Sequence, residues 1–272
     1  MQLTYLANRS TSSFCSHFAR HFAVTLPERF AVVASSDSPA ALSFTPRGSG
    51  AWSTLGELWT AAELARAGFS WICLDGQHGR WNDASTLTAI ALFGSSTPTL
   101  VRVRSNDDGL IGRALDAGAA GVIVPMVSSV AAAEAAAGAA QYPPAGHRSW
   151  GPLAAGYGQP LTTDASPFLA VMIETADAVA AVDGIAAVAG VNGLFVGPFD
   201  LALALGTTVD ELLADGVVLR SIAAAARTAG IVAGAFAGTP ERGALLRDLG
   251  YEFLAVTTEA DLIGRGAASA LA

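Results

Sequence analysis

From about residue 50 onward, short β-branched or apolar runs alternate with longer alanine-rich stretches whose apolar residues recur at helical spacing. The runs 51–55, 71–74, 100–103, 121–127, 169–173, 193–196, 231–236 and 253–257 read as strands. Between them, 57–67, 110–117, 130–140, 176–188, 212–229 and 240–249 read as helices, with a glycine near most ends. Strict alternation of strand and helix requires parallel pairing through right-handed crossovers. Eight such units can close on themselves, so the predicted fold is α/β, a (β/α)8 TIM barrel forming a single domain over 48–272. An open doubly wound sheet is the structural alternative, but no G-x-G-x-x-G follows the first strand.

Residues 1–47 break the pattern. Ser, Arg, Phe and His are frequent there, Glu28 is the first acid, and no period emerges, so this stretch reads as an irregular N-terminal extension. Its Arg- and Ser-bearing, acid-poor composition has the look of a transit peptide without being decisive. Cys15, His17 and His21 have a spacing that a helix would turn toward a metal, yet in such a tail chance is the better account.

Composition narrows the chemistry. With 272 residues, 52% hydrophobic and 14% charged, the chain can bury one large core. A net charge of −8 and scattered arginines argue against a nucleic-acid partner, and no long uninterrupted apolar window predicts a membrane span. Cys15 and Cys73 are the only cysteines, which predicts no disulfide framework and fits a reducing cytoplasm. All fifteen basic residues are arginines, because the chain contains no lysine. Schiff-base chemistry is therefore excluded, and any carbonyl chemistry needs another electrophile.

In such a barrel the side chains at the C-terminal ends of the strands converge on one mouth. The second strand runs into Asp75-Gly76-Gln77-His78, the third contains Arg102, the fifth ends at Glu174, and the sixth runs into Gly197-Pro198-Phe199-Asp200. Glu174 and Asp200 form a hard oxygen pair suited to Mg²⁺ or Mn²⁺, the competing reading being helix caps or partners of Arg102. The free amides of residues 199 and 200 would hold a carboxylate beside the ion, so a 2-oxo acid fits. Arg102, with its planar donor fork, would stabilise an enolate oxygen. His78 is the expected general base, with Asp75 placed to orient its ring. His147 reads as structural, and Trp81 and Trp150 as packing or pocket walls.

Taken together, Gly50-Ala51-Trp52, Leu74-Asp75-Gly76-Gln77-His78-Gly79, Val101-Arg102-Val103, Leu115-Asp116-Ala117-Gly118-Ala119, Val124-Pro125-Met126-Val127, Tyr142-Pro143-Pro144-Ala145-Gly146, Arg148-Ser149-Trp150-Gly151-Pro152, Ile173-Glu174-Thr175 and Val196-Gly197-Pro198-Phe199-Asp200-Leu201 make the chain resemble the HpcH/HpaI aldolases. These are metal-dependent 4-hydroxy-2-oxo acid aldolases. The resemblance implies retro-aldol cleavage to pyruvate and an aldehyde, with Glu174 and Asp200 holding Mg²⁺ or Mn²⁺, and Co²⁺ as a further candidate. It implies His78 as base acting through a bound water, Arg102 on the pyruvate enolate, and Asp75 and Asp116 supporting His78 and its water. Trp52, Gly197, Pro198 and Phe199 would contact substrate. It also implies a homohexamer in which C-terminal helices are exchanged between paired subunits.

Besides the N-terminal extension, which stands where a short helix normally plugs the barrel bottom, the chain departs from the family pattern at three places. Phe199 stands where a small residue is usual, Arg104 where Pro is common, and Gln77 where many members have Glu. The first two bear on the aldehyde end of the pocket. Two other readings compete: a citryl- or malyl-CoA-lyase-like enzyme, against which His78 and the acidic, lysine-free chain argue, and a barrel that binds oxo acids without turnover.

Overall fold

The structure is a computed structural model and describes residues 44–151 and 166–272. Eight parallel strands close a barrel in sequence order: β1 (Gly48–Ser53), β2 (Trp71–Asp75), β3 (Thr99–Arg102), β4 (Gly121–Val124), β5 (Phe168–Ile173), β6 (Gly193–Val196), β7 (Val232–Phe236) and β8 (Phe253–Thr258). The ring is sealed where β1 pairs with β8 from Gly48↔Phe253 onward, with a register shift between Gly50 and Ala51. The predicted TIM barrel is thus the observed fold. The cysteine and histidines singled out at positions 15, 17 and 21 lie outside the described residues.

Apart from the first two residues of β1 and the last residues of β7 and β8, the strands are buried throughout, because one face packs against helices and the other fills the barrel. Alternate residues supply the two layers. Ile72, Leu74, Val101, Val122, Leu169 and Val171 face outward, while Trp71, Cys73, Leu100, Ile123, Phe168, Phe195 and Phe253 fill the inside. The interior is strongly aromatic: the Trp71 and Phe253 ring centroids are 4.4 Å apart, and Phe253 meets Phe195 at 5.2 Å. Such rings need room opposite them. A Cβ added to Gly50 would lie 2.1 Å from the Trp71 ring, so glycine there is a packing requirement. At the bottom of the barrel, Phe44 sets its ring edge against Phe168, with centroids 6.4 Å apart.

Among the described residues eleven helices surround the sheet: α1 (Leu58–Arg66), α2 (Asp83–Phe93), α3 (Asp108–Asp116), α4 (Val130–Ala140), α5 (Ala176–Ala180), α6 (Val182–Ala186), α7 (Pro198–Ala204), α8 (Val209–Asp215), α9 (Val217–Ala229), α10 (Pro240–Asp248) and α11 (Glu259–Leu271). The start of many of them is fixed by a side-chain cap. Asn82, Asp107, Ser129, Thr175, Thr239 and Thr258 each accept a hydrogen bond from an amide of the following first turn. Each cap therefore sets where a strand-end loop stops and so how far it reaches over the mouth. The predicted helix 176–188 is two short helices interrupted at Ala181, and the predicted 212–229 is divided by Gly216 in the left-handed region at φ 62°. No helix among the described residues is long and apolar enough to cross a membrane.

Candidate active site

Asp75 and Arg102 end adjacent strands and stand opposite each other in the β2–β3 register. Both are buried, and the guanidinium grips the carboxylate at two points, Nε to Oδ1 at 2.9 Å and Nη2 to Oδ2 at 2.5 Å. The Trp52 indole Nε1 donates to the same Oδ2 at 3.2 Å, and the Gln77 and His78 amides donate to Oδ1 at 2.9 and 3.2 Å. Burial pushes the Asp75 carboxyl up, but the hydrogen bonds and charge of Arg102, aided by those two amides, outweigh it and hold the group below the usual carboxylate range.

This corrects one expectation. Asp75 does not orient the His78 ring; it meets His78 only through the backbone amide, because Arg102 and Trp52 occupy its outward lone pairs. The His78 side chain is exposed and lines the mouth. Asp75 instead fixes Arg102, whose charge centre lies 5.1 Å from the centroid of the Trp52 ring.

Glu174 directly follows β5 and is 2% exposed. Its Oε1 accepts the Met126 amide at 2.6 Å. Met126 adopts φ 57°, a left-handed conformation uncommon for a non-glycine residue, and it follows Pro125, which cannot donate to the ladder; β4 accordingly ends at Val124 rather than at 127. On the other side, a Cβ on Gly197 would lie 2.6 Å from Glu174 Oε2, so glycine lets the carboxylate lie against the β6–α7 turn. Burial raises the Glu174 carboxyl above its usual range; the Met126 amide opposes the rise and the nearby Asp200 charge reinforces it. Asp200 is exposed, in the first turn of α7, which Pro198 opens and no side chain caps.

Trp52, Asp75, His78, Arg102, Gly197, Pro198, Phe199 and Asp200 line one cavity of about 350 Å³ at the mouth. Asp116 is not among them. It is the last residue of α3, which runs from the mouth back along the barrel, and there it accepts from Arg148 Nη2 at 2.6 Å while Arg148 lies over the Tyr142 ring. The support expected from Asp116 for His78 is therefore not formed within the chain. His147 pairs with Asp108 at 2.9 Å on the surface, in keeping with a structural role, and Trp81 is buried with Nε1 donating to Ser53 Oγ.

Two site features escaped the sequence reading. Phe236, at the end of β7, lines the cavity. Glu259, the first residue of α11, is 2% exposed and its Oε1 accepts from the Ser53 hydroxyl and the amides of Thr54 and Leu55 at 2.7–2.8 Å. An acid directly after the eighth strand was the available signal, the same one that marked Glu174.

Comparison with known proteins accords with this geometry. Residues 49–264 match the family model described as HpcH/HpaI aldolase/citrate lyase. The chain belongs to the HpcH/HpaI family. Within it, the chain is 37% identical over 225 residues to a hydroxypyruvate/pyruvate aldolase of Paraburkholderia phytofirmans, covering 77% of this chain and 86% of that protein. It is 34% identical over 231 residues to a 2-dehydro-3,6-dideoxy-6-sulfogluconate aldolase of Pseudomonas putida, again covering 77% and 86%. A crystal structure of an HpcH/HpaI aldolase/citrate lyase family protein from Burkholderia cenocepacia superposes with a TM-score of 0.78 at 30% identity, covering 84% of this chain and 93% of that one. As a member of this family the chain is a lyase of the aldolase type.

Proposed function

We propose that this family member is a divalent-metal-dependent aldolase that cleaves or forms 4-hydroxy-2-oxo acids through a pyruvate enolate. The observation that carries the reading is one mouth in which a buried, doubly anchored Arg102 shares a cavity with Asp200 beside Glu174. Relatives named hydroxypyruvate/pyruvate aldolase support pyruvate as the carbon nucleophile.

The residues present fit a hard divalent ion. Glu174 and Asp200 offer carboxylate oxygens close enough for the Asp200 charge to raise the Glu174 carboxyl, and Gly197 keeps Glu174 Oε2 free of side-chain crowding. In this reading the protein's share of the ligands is the Glu174 and Asp200 pair, the described residues assembling no cluster of three or more His, Cys, Asp or Glu. The pair would hold Mg²⁺ or Mn²⁺, with Co²⁺ a further candidate, and the bound ion would polarise the 2-oxo group of the substrate.

The chain's own residues do the rest. Arg102 places a fixed positive fork where the enolate oxygen gains charge, and because Asp75 and Trp52 hold it in advance it needs no reorganisation during the reaction. His78, exposed to the cavity, takes the proton of the C4 hydroxyl in cleavage and returns it in synthesis. Gly197 and Pro198 shape the turn that presents Asp200, and Phe199 forms the rim beside it.

We also infer assembly into a homo-oligomer, with the hexamer suggested by resemblance. Beyond Glu259, every residue of α11 is exposed, Leu262, Ile263 and Leu271 among them, which is an apolar helix face that nothing among the described residues covers. The setting that suits the sparse cysteines is the cytoplasm.

The deciding experiment follows pyruvate methyl protons by NMR in D₂O. Loss of the signal with Mg²⁺ or Mn²⁺, abolished by EDTA and by Glu174→Gln, is the expected result; exchange indifferent to chelator would overturn the metal-dependent reading.

A further inference from the structure

The mouth carries a row of aromatic rings that runs from Arg102 to the rim. Trp52 lies under the Arg102 guanidinium at 5.1 Å; Phe236 sets its edge on Trp52 with centroids 5.7 Å apart at 77°; Phe199 continues the row at 6.3 Å from Phe236. All three line the same cavity, and Trp52 is braced from below by stacking on Phe195 at 5.4 Å. A single exposed phenylalanine on a protein surface is ordinary. Phe199, however, is 51% exposed while the ring beside it belongs to the cavity wall, so its free face extends that wall toward solvent. It contributes little to the fold and much to the shape of the opening.

The charge distribution points the same way. Arg102 is the only cation among the described residues that line this cavity, and its Nε and Nη2 are bonded to Asp75, which leaves Nη1 as its donor for the enolate end. The remaining charged groups there are the carboxylates of Asp75 and Asp200, and His78 also lines the cavity. An aldehyde carrying its own carboxylate or sulfonate would meet aromatic faces and a carboxylate at the rim, and no second cationic side chain among the described residues that line the cavity. A flat apolar group would instead bury against rings spaced as aromatic pairs prefer.

Resting on the aldolase reading above, we infer that the acceptor end of the mouth takes an aromatic aldehyde, so that the preferred 4-hydroxy-2-oxo acid bears an aromatic group on C4. In cleavage the C4 hydroxyl gives up its proton and C4=O forms as the C3–C4 bond breaks. The electron pair passes to the C2–C3 enolate, which a proton at C3 converts to pyruvate. The aromatic aldehyde leaves along the ring row, past Phe236 and Phe199.

The test uses the Mn²⁺-supplemented full chain with excess pyruvate and two acceptors, benzaldehyde and glycolaldehyde, comparing kcat/KM for each. Wild type is expected to favour benzaldehyde, and Phe199→Ala to lower the benzaldehyde-to-glycolaldehyde ratio about tenfold, the scale of losing one aromatic contact and its buried area. Phe199→Tyr, which keeps the ring, should hold the ratio within about threefold of wild type. The ratio cancels any change in metal binding or folding that Phe199→Ala causes through neighbouring Asp200, because both acceptors share that loss. A wild type that prefers glycolaldehyde, or a ratio that Phe199→Ala leaves unchanged, overturns this inference. Wild-type exchange of pyruvate methyl protons in D₂O separates the two levels: exchange without aromatic preference sinks only the acceptor assignment, whereas no exchange sinks the aldolase reading and this inference with it.

Discussion

Asp75 and Arg102 are register partners on adjacent strands, and their side chains meet in a buried two-point ion pair directly beneath the mouth. The pairing makes the arginine rigid before substrate arrives, which is where its value as an enolate partner lies. It also makes Asp75 a positioning residue with a stability role. Asp75→Asn leaves the buried guanidinium without its counter-charge, so a loss of about 3 kcal/mol in unfolding free energy is expected, together with a fall in kcat. The pH dependence has a definite sign. The Asp75 carboxyl is held below its usual range, so the stabilisation is complete above the unfolded-state value of about 3.9 and is lost as pH falls through the lower folded value. Melting curves between about pH 5 and 2.5 should show wild type losing stability over this window, and Asp75→Asn should lack that portion of the loss.

His78 lines the cavity, no side chain among the described residues bonds to its ring, and its amide is tied to Asp75. Its loop is thus fixed and its ring is free to meet substrate. Replacing it with alanine should lower kcat by about 10²- to 10⁴-fold, the range of a positioned acid–base group, with Mn²⁺ affinity unchanged in a titration calorimeter. A parallel loss of metal affinity would reassign His78 to the ligand set.

The strands were legible because parallel barrel strands are apolar on both faces and end in glycine or charge; six of the eight were read to within one residue at both ends. The exceptions are instructive. In β1, Gly48, Ser49 and Gly50 look like loop, yet Gly48 and Ser49 pair with β8 and Gly50 with both β2 and β8, because no side chain may stand opposite Trp71. Helix α2 was missed since Leu87, Ile90, Leu92 and Phe93 spread around its circumference instead of forming a stripe; only the Asn82 and Ser85 capping pair marked it locally. At the site, strand-end position brought His78, Arg102 and Asp200 to one cavity, with Glu174 buried against Gly197 behind it, but partner choice was not readable. Sequence spacing put Asp75 near His78, whereas the β2–β3 register gave it to Arg102. The Met126 amide on Glu174 was equally hidden, since it depends on a positive φ.

Helix α11 bears on assembly. Removing residues 260–272 takes away Leu262, Ile263 and Leu271 but leaves Glu259 and its buried bonds in place. If a second copy of the chain covers that apolar face, light scattering should report a smaller assembly for the truncated chain than for wild type, at similar secondary-structure content by circular dichroism. A wild-type chain that is monomeric at micromolar concentration would remove the basis for the oligomer.

Glu259 closes the seam at which the barrel's first and last strands meet. One carboxylate oxygen accepts the Ser53 hydroxyl and two amides just past β1, Trp81 Nε1 adds a bond to the same Ser53 hydroxyl, and the glutamate itself begins the helix after β8. Its other oxygen is buried without a hydrogen-bond partner among the described residues. The two oxygens therefore differ in what their loss should do. Glu259→Gln retains an acceptor for the three donors and changes mainly the atom that bonds to nothing, so its cost should stay within about 1 kcal/mol. Glu259→Ala strands two amides and a hydroxyl, and about 3 kcal/mol is expected from donors left unsatisfied away from water. Guanidinium unfolding of the two variants distinguishes these outcomes. Equal losses would mean that the negative charge, and not the three bonds to Oε1, is what holds β1 against β8. The seam matters for the mouth because Trp52, which donates to Asp75 and lies under Arg102, sits one residue before Ser53. Loosening it with Glu259→Ala should raise KM for pyruvate as well as lower stability, while Glu259→Gln should leave KM near the wild-type value.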